Sequence, residues 1–156
     1  MFNTIRVGHS APSFTVKAFT NGSCDELISL SDFQGKWVIL FFYPADFTTI
    51  CPTEVKSFQT ELSFFKDRNT VVLGASVDSP NVHKAWSKEL GGIDFPLLSD
   101  VHHTLCIDYN VFIEEDAQAL RGTFIISPEG ILKWISVSDR NVGRSIQEIK
   151  RVLEAL

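Results

Sequence analysis

The sequence predicts an α/β domain whose central mixed sheet is flanked by helices. Three observations carry that prediction. Two apolar runs, Trp37–Tyr43 and Thr70–Val77, lack the polar alternation of a half-exposed strand and so read as strands buried on both faces. Between them Val55, Phe58, Leu62 and Phe65 recur at helical spacing, which makes a strand–crossover helix–strand unit with parallel strands. Near the C-terminus, Gly122–Ser127 and Ile131–Val137 flank the turn Pro128-Glu129-Gly130 and read as a β-hairpin.

The remaining elements follow in chain order. Phe14, Val16 and Ala18 alternate with polar residues, Asn21-Gly22 signals a turn, and Leu27–Leu30 completes an N-terminal strand pair at one side of the sheet. Pro44 to Ile50 form a loop, and Pro52 is expected at the first helical position, which makes Cys51 the cap residue. Ser79-Pro80 opens a helix whose inner face is read as Val82, Ala85, Trp86 and Leu90. Phe95–Leu98 is a short extended segment and Val101–Tyr109 a short helix. Ile146, Ile149, Leu153 and Leu156 line a closing helix. A βαβ unit, a helix and then ββα make a thioredoxin-like arrangement, here with an added N-terminal hairpin and an inserted helix, and residues 1–156 are expected to form one such domain.

Composition narrows the function classes. At 156 residues, area scaling allows about 69% of the unfolded surface to be buried, so no disulfide framework is required. With 14 basic against 19 acidic side chains, a nucleic-acid partner or an anionic membrane surface is not expected. The start of the chain has no apolar leader segment, and the longest apolar run, Trp37–Tyr43, is too short for a membrane span. Three cysteines without a CxxC pair read as free thiols in a reducing compartment, and a cytoplasmic location is expected. No cofactor is expected. His9, His83, His102 and His103 read as ordinary surface or helix residues. His102 and Cys106, one helical turn apart, lack a third and fourth ligand, so no metal is expected either.

One position suggests chemistry. A thiol at a helix N-terminus faces unpaired backbone N–H groups and the positive end of the helix dipole, which favour its nucleophilic anion. Cys51 is placed there, at the carboxyl end of a central strand, where ligands of open α/β sheets bind. The competing reading is an inert, buried cysteine. The flanking prolines Pro44 and Pro52 and the hydroxyls of Thr48, Thr49 and Thr53 favour the nucleophile.

The stretch Pro44-Ala-Asp-Phe-Thr48-Thr-Ile-Cys51-Pro-Thr-Glu54 resembles the peroxiredoxin signature in the form carried by the alkyl hydroperoxide reductase C and typical two-cysteine subfamily. Ala11-Pro-Ser-Phe14, Leu73-Gly-Ala-Ser-Val-Asp78, Phe95-Pro-Leu-Leu-Ser-Asp100, Arg121-Gly-Thr-Phe and Val142-Gly-Arg144-Ser extend the resemblance over essentially the whole chain. It implies reduction of hydrogen peroxide and organic hydroperoxides by Cys51 as peroxidatic cysteine. Thr48 would act near the peroxide oxygens, Arg121 beside thiolate and leaving oxygen, and Pro44 as a shield from water; Glu54 and Arg144 would orient the pocket arginine. Without the motif, Arg121 and Arg144 read as solvated charges and Glu54 as a residue favouring a helix N-terminus. The resemblance also implies a thioredoxin-like or other thiol reductant and a homodimer, with decamers as the larger assembly. A chaperone-like holdase or a peroxide sensor using the same cysteine is the alternative.

Two features depart from the family pattern. Thr49-Ile50 stand where relatives have an aromatic residue and a valine, so altered assembly is expected. Typical two-cysteine relatives also carry a resolving cysteine in a tail after the last helix, whereas no cysteine follows Cys106 in this sequence. Three readings follow: a chain that ends ahead of its tail, a one-cysteine enzyme reduced by an outside thiol, or resolution by Cys24 or Cys106.

Overall fold

The computed structural model describes residues 5–48 and 51–156. The N-terminal residues 1–4 and the Thr49-Ile50 departure therefore lie outside the described residues. β1 (Thr15–Thr20) and β2 (Ser23–Ser29) form the expected hairpin, followed by a 3-10 turn at Leu30–Phe33. β3 (Trp37–Phe42), α1 (Cys51–Thr60), α2 (Leu62–Lys66) and β4 (Thr70–Ser76) make the βαβ unit, with β3 and β4 parallel as predicted. α3 (Pro80–Glu89), β5 (Leu97–Ser99) and α4 (Thr104–Asp108) come next. A two-stranded ribbon, β6 (Phe112–Ile113) with β7 (Gln118–Ala119), leads into the hairpin β8 (Arg121–Ile126) and β9 (Leu132–Ser138) and the closing helix α5 (Ile146–Ala155).

The seven-stranded sheet runs β2-β1-β5-β4-β3-β8-β9. Its centre, β5-β4-β3, is parallel and the outer pairs are antiparallel, so it is mixed as predicted. Alternation along β3 assigns its side chains to two cores. Ile39, Phe41 and Tyr43 pack with Val55 and Phe58 of α1, Trp86 of α3 and Ile149 of α5, while Val38, Leu40 and Phe42 face Leu105, Tyr109 and Phe124 on the other side. Phe41 stacks on Phe58 at a centroid distance of 4.1 Å, and Gly74 in β4 makes room for it: a Cβ there would lie 2.8 Å from Phe41 Cζ.

Three local expectations shift. The helical stripe Val55, Phe58, Leu62 and Phe65 is buried, but Glu61 divides it into two helices. In α3 the inner face is His83, Trp86 and Ser87, with Val82 and Leu90 half-buried and Ala85 exposed, so His83 is a core residue rather than a surface one. In α5, Leu156 falls beyond the helix and is exposed, and Val152 joins Ile149 and Leu153 in the core. Among the described residues no helix is long and apolar enough to cross a membrane.

Candidate active site

The site is built where β3 ends and α1 begins. Buried β3 continues through Tyr43 and Pro44, both buried, into a loop that delivers Cys51 to the first turn of α1. Cys51 is the first helical residue, one position earlier than the expected start at Pro52, and Pro52 occupies the second, where a missing N–H still costs no intrahelical bond. The Cys51 thiol is fully buried, as is Val55 one turn on.

Arg121, the first residue of β8, crosses to this sulfur. Its Nη1 donates to Cys51 Sγ at 3.3 Å and to Glu54 Oε2 at 2.9 Å, while Nε donates to the Arg140 carbonyl at 2.7 Å. Three fixed acceptors leave this guanidinium one orientation, with an N–H edge aimed at the thiol. Glu54, one turn after Cys51, also holds Arg144. The Arg144 backbone N–H donates to Oε1 at 2.8 Å and its Nε to Oε2 at 3.0 Å. Arg144 Nη1 donates to the Gly122 carbonyl and the Thr123 hydroxyl, both at 2.9 Å, and Nη2 donates to the Phe42 carbonyl. Burial lowers the pKa of Arg144 and the neighbouring Glu54 raises it in part. Both ion pairs are shielded from water, with side-chain exposure of 3% and 4% for Arg121 and Glu54 and 9% for Arg144. Neither arginine is the solvated charge that its position in the sequence suggests when taken alone.

Thr48 lies in the same loop, half-buried, with its hydroxyl donating to the Ala45 carbonyl at 3.1 Å. That bond holds the loop's shape. Phe47 between them takes a left-handed φ of 58° and is half-exposed, its ring 6.3 Å from that of Trp86.

Cys24 and Cys106 are both free thiols, and neither is brought to Cys51. Cys24 is in edge strand β2, four strands from β3. Its Sγ lies 3.6 Å from the Pro80 carbonyl at the start of α3, and no hydrogen bond joins it to Cys51 or Arg121 among the described residues. Cys106 packs on the opposite sheet face from Cys51. Burial and the adjacent Asp100 carboxylate push the Cys106 thiol far up, so it is held neutral. Two results are expected from that. Iodoacetamide near pH 8 should modify Cys106 last in the native protein, read by peptide mass. Because the folded pKa lies above the unfolded one, the stability contributed by the Cys106 proton is present at neutral pH and lost as pH rises past about 9. Wild type should therefore lose melting temperature relative to Cys106→Ala between pH about 7 and about 10, and parallel profiles would refute this.

Sequence reasoning missed a second polar cluster beside the site. Asp46, 6% exposed, accepts from the Tyr43 hydroxyl at 2.7 Å and pairs with His83 Nδ1 at 2.7 Å. Burial raises the pKa of Asp46, against the effect of His83, and raises that of Tyr43. Among the described residues Asp46, Asp78 and His83 are the grouping whose ligand-type atoms lie close enough for a metal ion, within 4.8 Å of one another. Both carboxylate oxygens of Asp46, both ring nitrogens of His83 and Oδ2 of Asp78 are taken up by hydrogen bonds within the protein, so the cluster reads as a network and not as a metal site. The available signal was periodicity: 83, 86, 87 and 90 are spaced as one helix face once a polar residue is admitted to it.

The AhpC/TSA family profile matches residues 7–135. The chain is 46% identical over 155 residues to Thioredoxin peroxidase of Echinococcus granulosus, covering 96% of this chain and 80% of that one. The chain belongs to the peroxiredoxin family. It is also 46% identical over 158 residues to Peroxiredoxin-4 of Dictyostelium discoideum, covering 97% of this chain and spanning 61% of the length of that relative. The reduced 2-Cys peroxiredoxin of Plasmodium vivax superposes with a TM-score of 0.91 at 38% identity, covering 97% of this chain and 81% of that one. The thioredoxin-like reading agrees with this structural neighbour.

Proposed function

We propose that this protein is a thiol-dependent peroxidase in which the Cys51 thiolate reduces hydrogen peroxide and organic hydroperoxides. The observation that carries this reading is Arg121 Nη1 at 3.3 Å from Cys51 Sγ, fixed there by Glu54. The network holds two guanidinium groups against one carboxylate, and the sulfur is the group within it placed to supply the balancing negative charge. The thiolate attacks the terminal oxygen of ROOH, the S–O bond forms as the O–O bond breaks, and RO⁻ takes a proton to leave as alcohol, or as water when R is hydrogen. Arg121 is placed to stabilise the charge that moves from sulfur to the leaving oxygen, and in this proposal Pro44 has the role of shielding the sulfur from water and Thr48 that of a hydroxyl near the peroxide oxygens. Cys51 is left as sulfenic acid. A thioredoxin-type dithiol then attacks that sulfur, water leaves, and the second donor thiol releases Cys51 with formation of the donor's disulfide. A cytoplasmic homodimer built along the β9 edge, with larger assemblies of such dimers, belongs to the same proposal; it is supported by β9 being the last strand of the sheet.

One equivalent of hydrogen peroxide in the presence of dimedone tests this by peptide mass. The adduct is expected on Cys51; an adduct confined to Cys24 or Cys106 would refute the assignment. Without dimedone, a non-reducing gel reads cross-linking between chains, the route open to Cys24. Arg121→Lys is expected to slow the reaction with peroxide by about 10²-fold, since one ammonium cannot serve sulfur, Glu54 and the Arg140 carbonyl together.

A further inference from the structure

The loop that carries Pro44 and Thr48 is held by a contact that does not involve Cys51. Asp46 Oδ2 meets His83 Nδ1 at 2.7 Å, and His83 Nε2 meets the Leu98 carbonyl of β5 at 2.9 Å. A carbonyl only accepts, so Nε2 carries a hydrogen. The contact between Nδ1 and Oδ2 then needs a proton of its own, because two bare acceptors at that distance repel. His83 is 0% exposed, and so this is a buried, proton-bridged pair and not a surface contact. The other titratable groups facing it are Tyr43, whose hydroxyl donates to Asp46 Oδ1, and Asp78, whose Oδ2 accepts the Asp46 backbone N–H at 2.7 Å and the Ser76 hydroxyl at 2.7 Å. Asp46 is thus fixed through both its side chain and its backbone, to Tyr43 just after β3, to the β4–α3 connection and to α3. The next residue, Phe47, sits in the left-handed region that a bulky side chain avoids, a conformation that persists where its neighbours are over-determined.

We propose that His83 is a positioning residue for peroxide reduction: through Asp46 it ties the Tyr43–Thr48 loop to α3, and so sets where Pro44 and Thr48 stand relative to the Cys51 sulfur. This rests on the peroxidase reading above. It predicts that His83 controls the reaction with peroxide, which needs the pocket, and not the reaction with a simple alkylating agent, which needs only the sulfur.

The two ring nitrogens can be tested separately. His83→Gln places an amide near Nε2, keeping the bond to Leu98 and giving up Asp46; His83→Asn places one near Nδ1, keeping Asp46 and giving up Leu98. For each folded variant the second-order rate of Cys51 with hydrogen peroxide is compared with its rate with iodoacetamide. His83→Gln should lose about 10–100-fold with peroxide and less than about threefold with iodoacetamide, the scale expected of a misplacement near 1 Å. His83→Asn should stay near wild type on both. A peroxide-to-iodoacetamide ratio in His83→Gln within about fivefold of wild type, or His83→Asn lying nearer to His83→Gln than to wild type, overturns the proposal. If His83→Gln does not fold, Asp46→Ala is read in its place against the same threshold. Wild type separates the two readings: absence of a Cys51-dependent peroxide reaction there would remove the peroxidase reading itself, whatever the His83 variants do.

Discussion

Cys51→Ser should abolish peroxide consumption, to the level of a protein-free control, in an assay supplied with a dithiol donor. Serine preserves the shape of the site: it places a hydroxyl where Arg121 Nη1 now donates to sulfur, and the bonds of Glu54 to Arg121 and Arg144 do not pass through Cys51. The fold should therefore persist, with stability changed by about 1 kcal/mol, the scale of a single hydrogen bond. What is lost is chemistry. An alkoxide is not accessible near neutral pH, and oxygen has no counterpart to the sulfenic acid that stores the transferred oxygen atom. Neither Cys24 nor Cys106 substitutes, since Arg121 donates to the Cys51 sulfur alone among the described residues and Cys106 is held neutral on the far face of the sheet. Peroxide consumption in Cys51→Ser above about a tenth of the wild-type rate would refute the assignment of the chemistry to this residue.

The largest effect on stability is expected from Glu54→Leu. Glu54 is the one carboxylate between two buried guanidinium groups, and removing it leaves both positive charges out of water without a carboxylate to balance them, together with an unsatisfied Arg144 backbone N–H. Breaking a buried pair by removing one member costs about 3–5 kcal/mol, because the stranded charge keeps its desolvation penalty. Urea unfolding reads that loss directly, and a change below about 1 kcal/mol would show that the arginines find water or another anion. Activity should fall as well, since Arg121 is oriented toward sulfur by its bond to Glu54. Glu54→Asp, which keeps the charge on a shorter stem, should recover stability better than the reaction with peroxide: the charge balance survives while the distance to Arg121 changes.

The charge arithmetic of this cluster also sets its limits as a stabilising device. Arg144 is held by four separate acceptors, and its guanidinium carbon lies 5.2 Å from the centre of the Phe41 ring. The same ring stacks on Phe58, and Gly74 admits it to the sheet. The polar site therefore rests on a packed aromatic layer, which explains how a helix, two strands and the loop before α5 keep three charged side chains in register. Its precision comes from packing; its charges contribute orientation.

Local pattern was enough to read most of the framework. The uninterrupted apolar runs gave parallel strands buried on both faces, the spacing of Val55, Phe58, Leu62 and Phe65 gave the crossover, and the Pro128–Gly130 turn gave the hairpin, because each signal is contained within a few residues. Cys51 was legible for the same reason: a strand, a proline-flanked loop and a helix N-terminus are consecutive in the chain. Its partners were not legible from residue chemistry alone. Arg121 lies 67 residues beyond Glu54 and Arg144 lies 90 beyond it, and an arginine becomes a buried ligand of a carboxylate only once β8 has been laid against β3. The resemblance named these residues; the tertiary structure supplied the reason for them. His83 was misread because an amphipathic stripe is recognised by its apolar members, and a histidine belongs to one only when a buried carboxylate and a carbonyl are waiting for its two nitrogens. The sequence by itself thus determined the architecture and the reactive sulfur, which follow from short-range periodicity. The sheet order alone decided which charges meet that sulfur, and which polar residue holds its loop, because those contacts join elements that the chain keeps far apart.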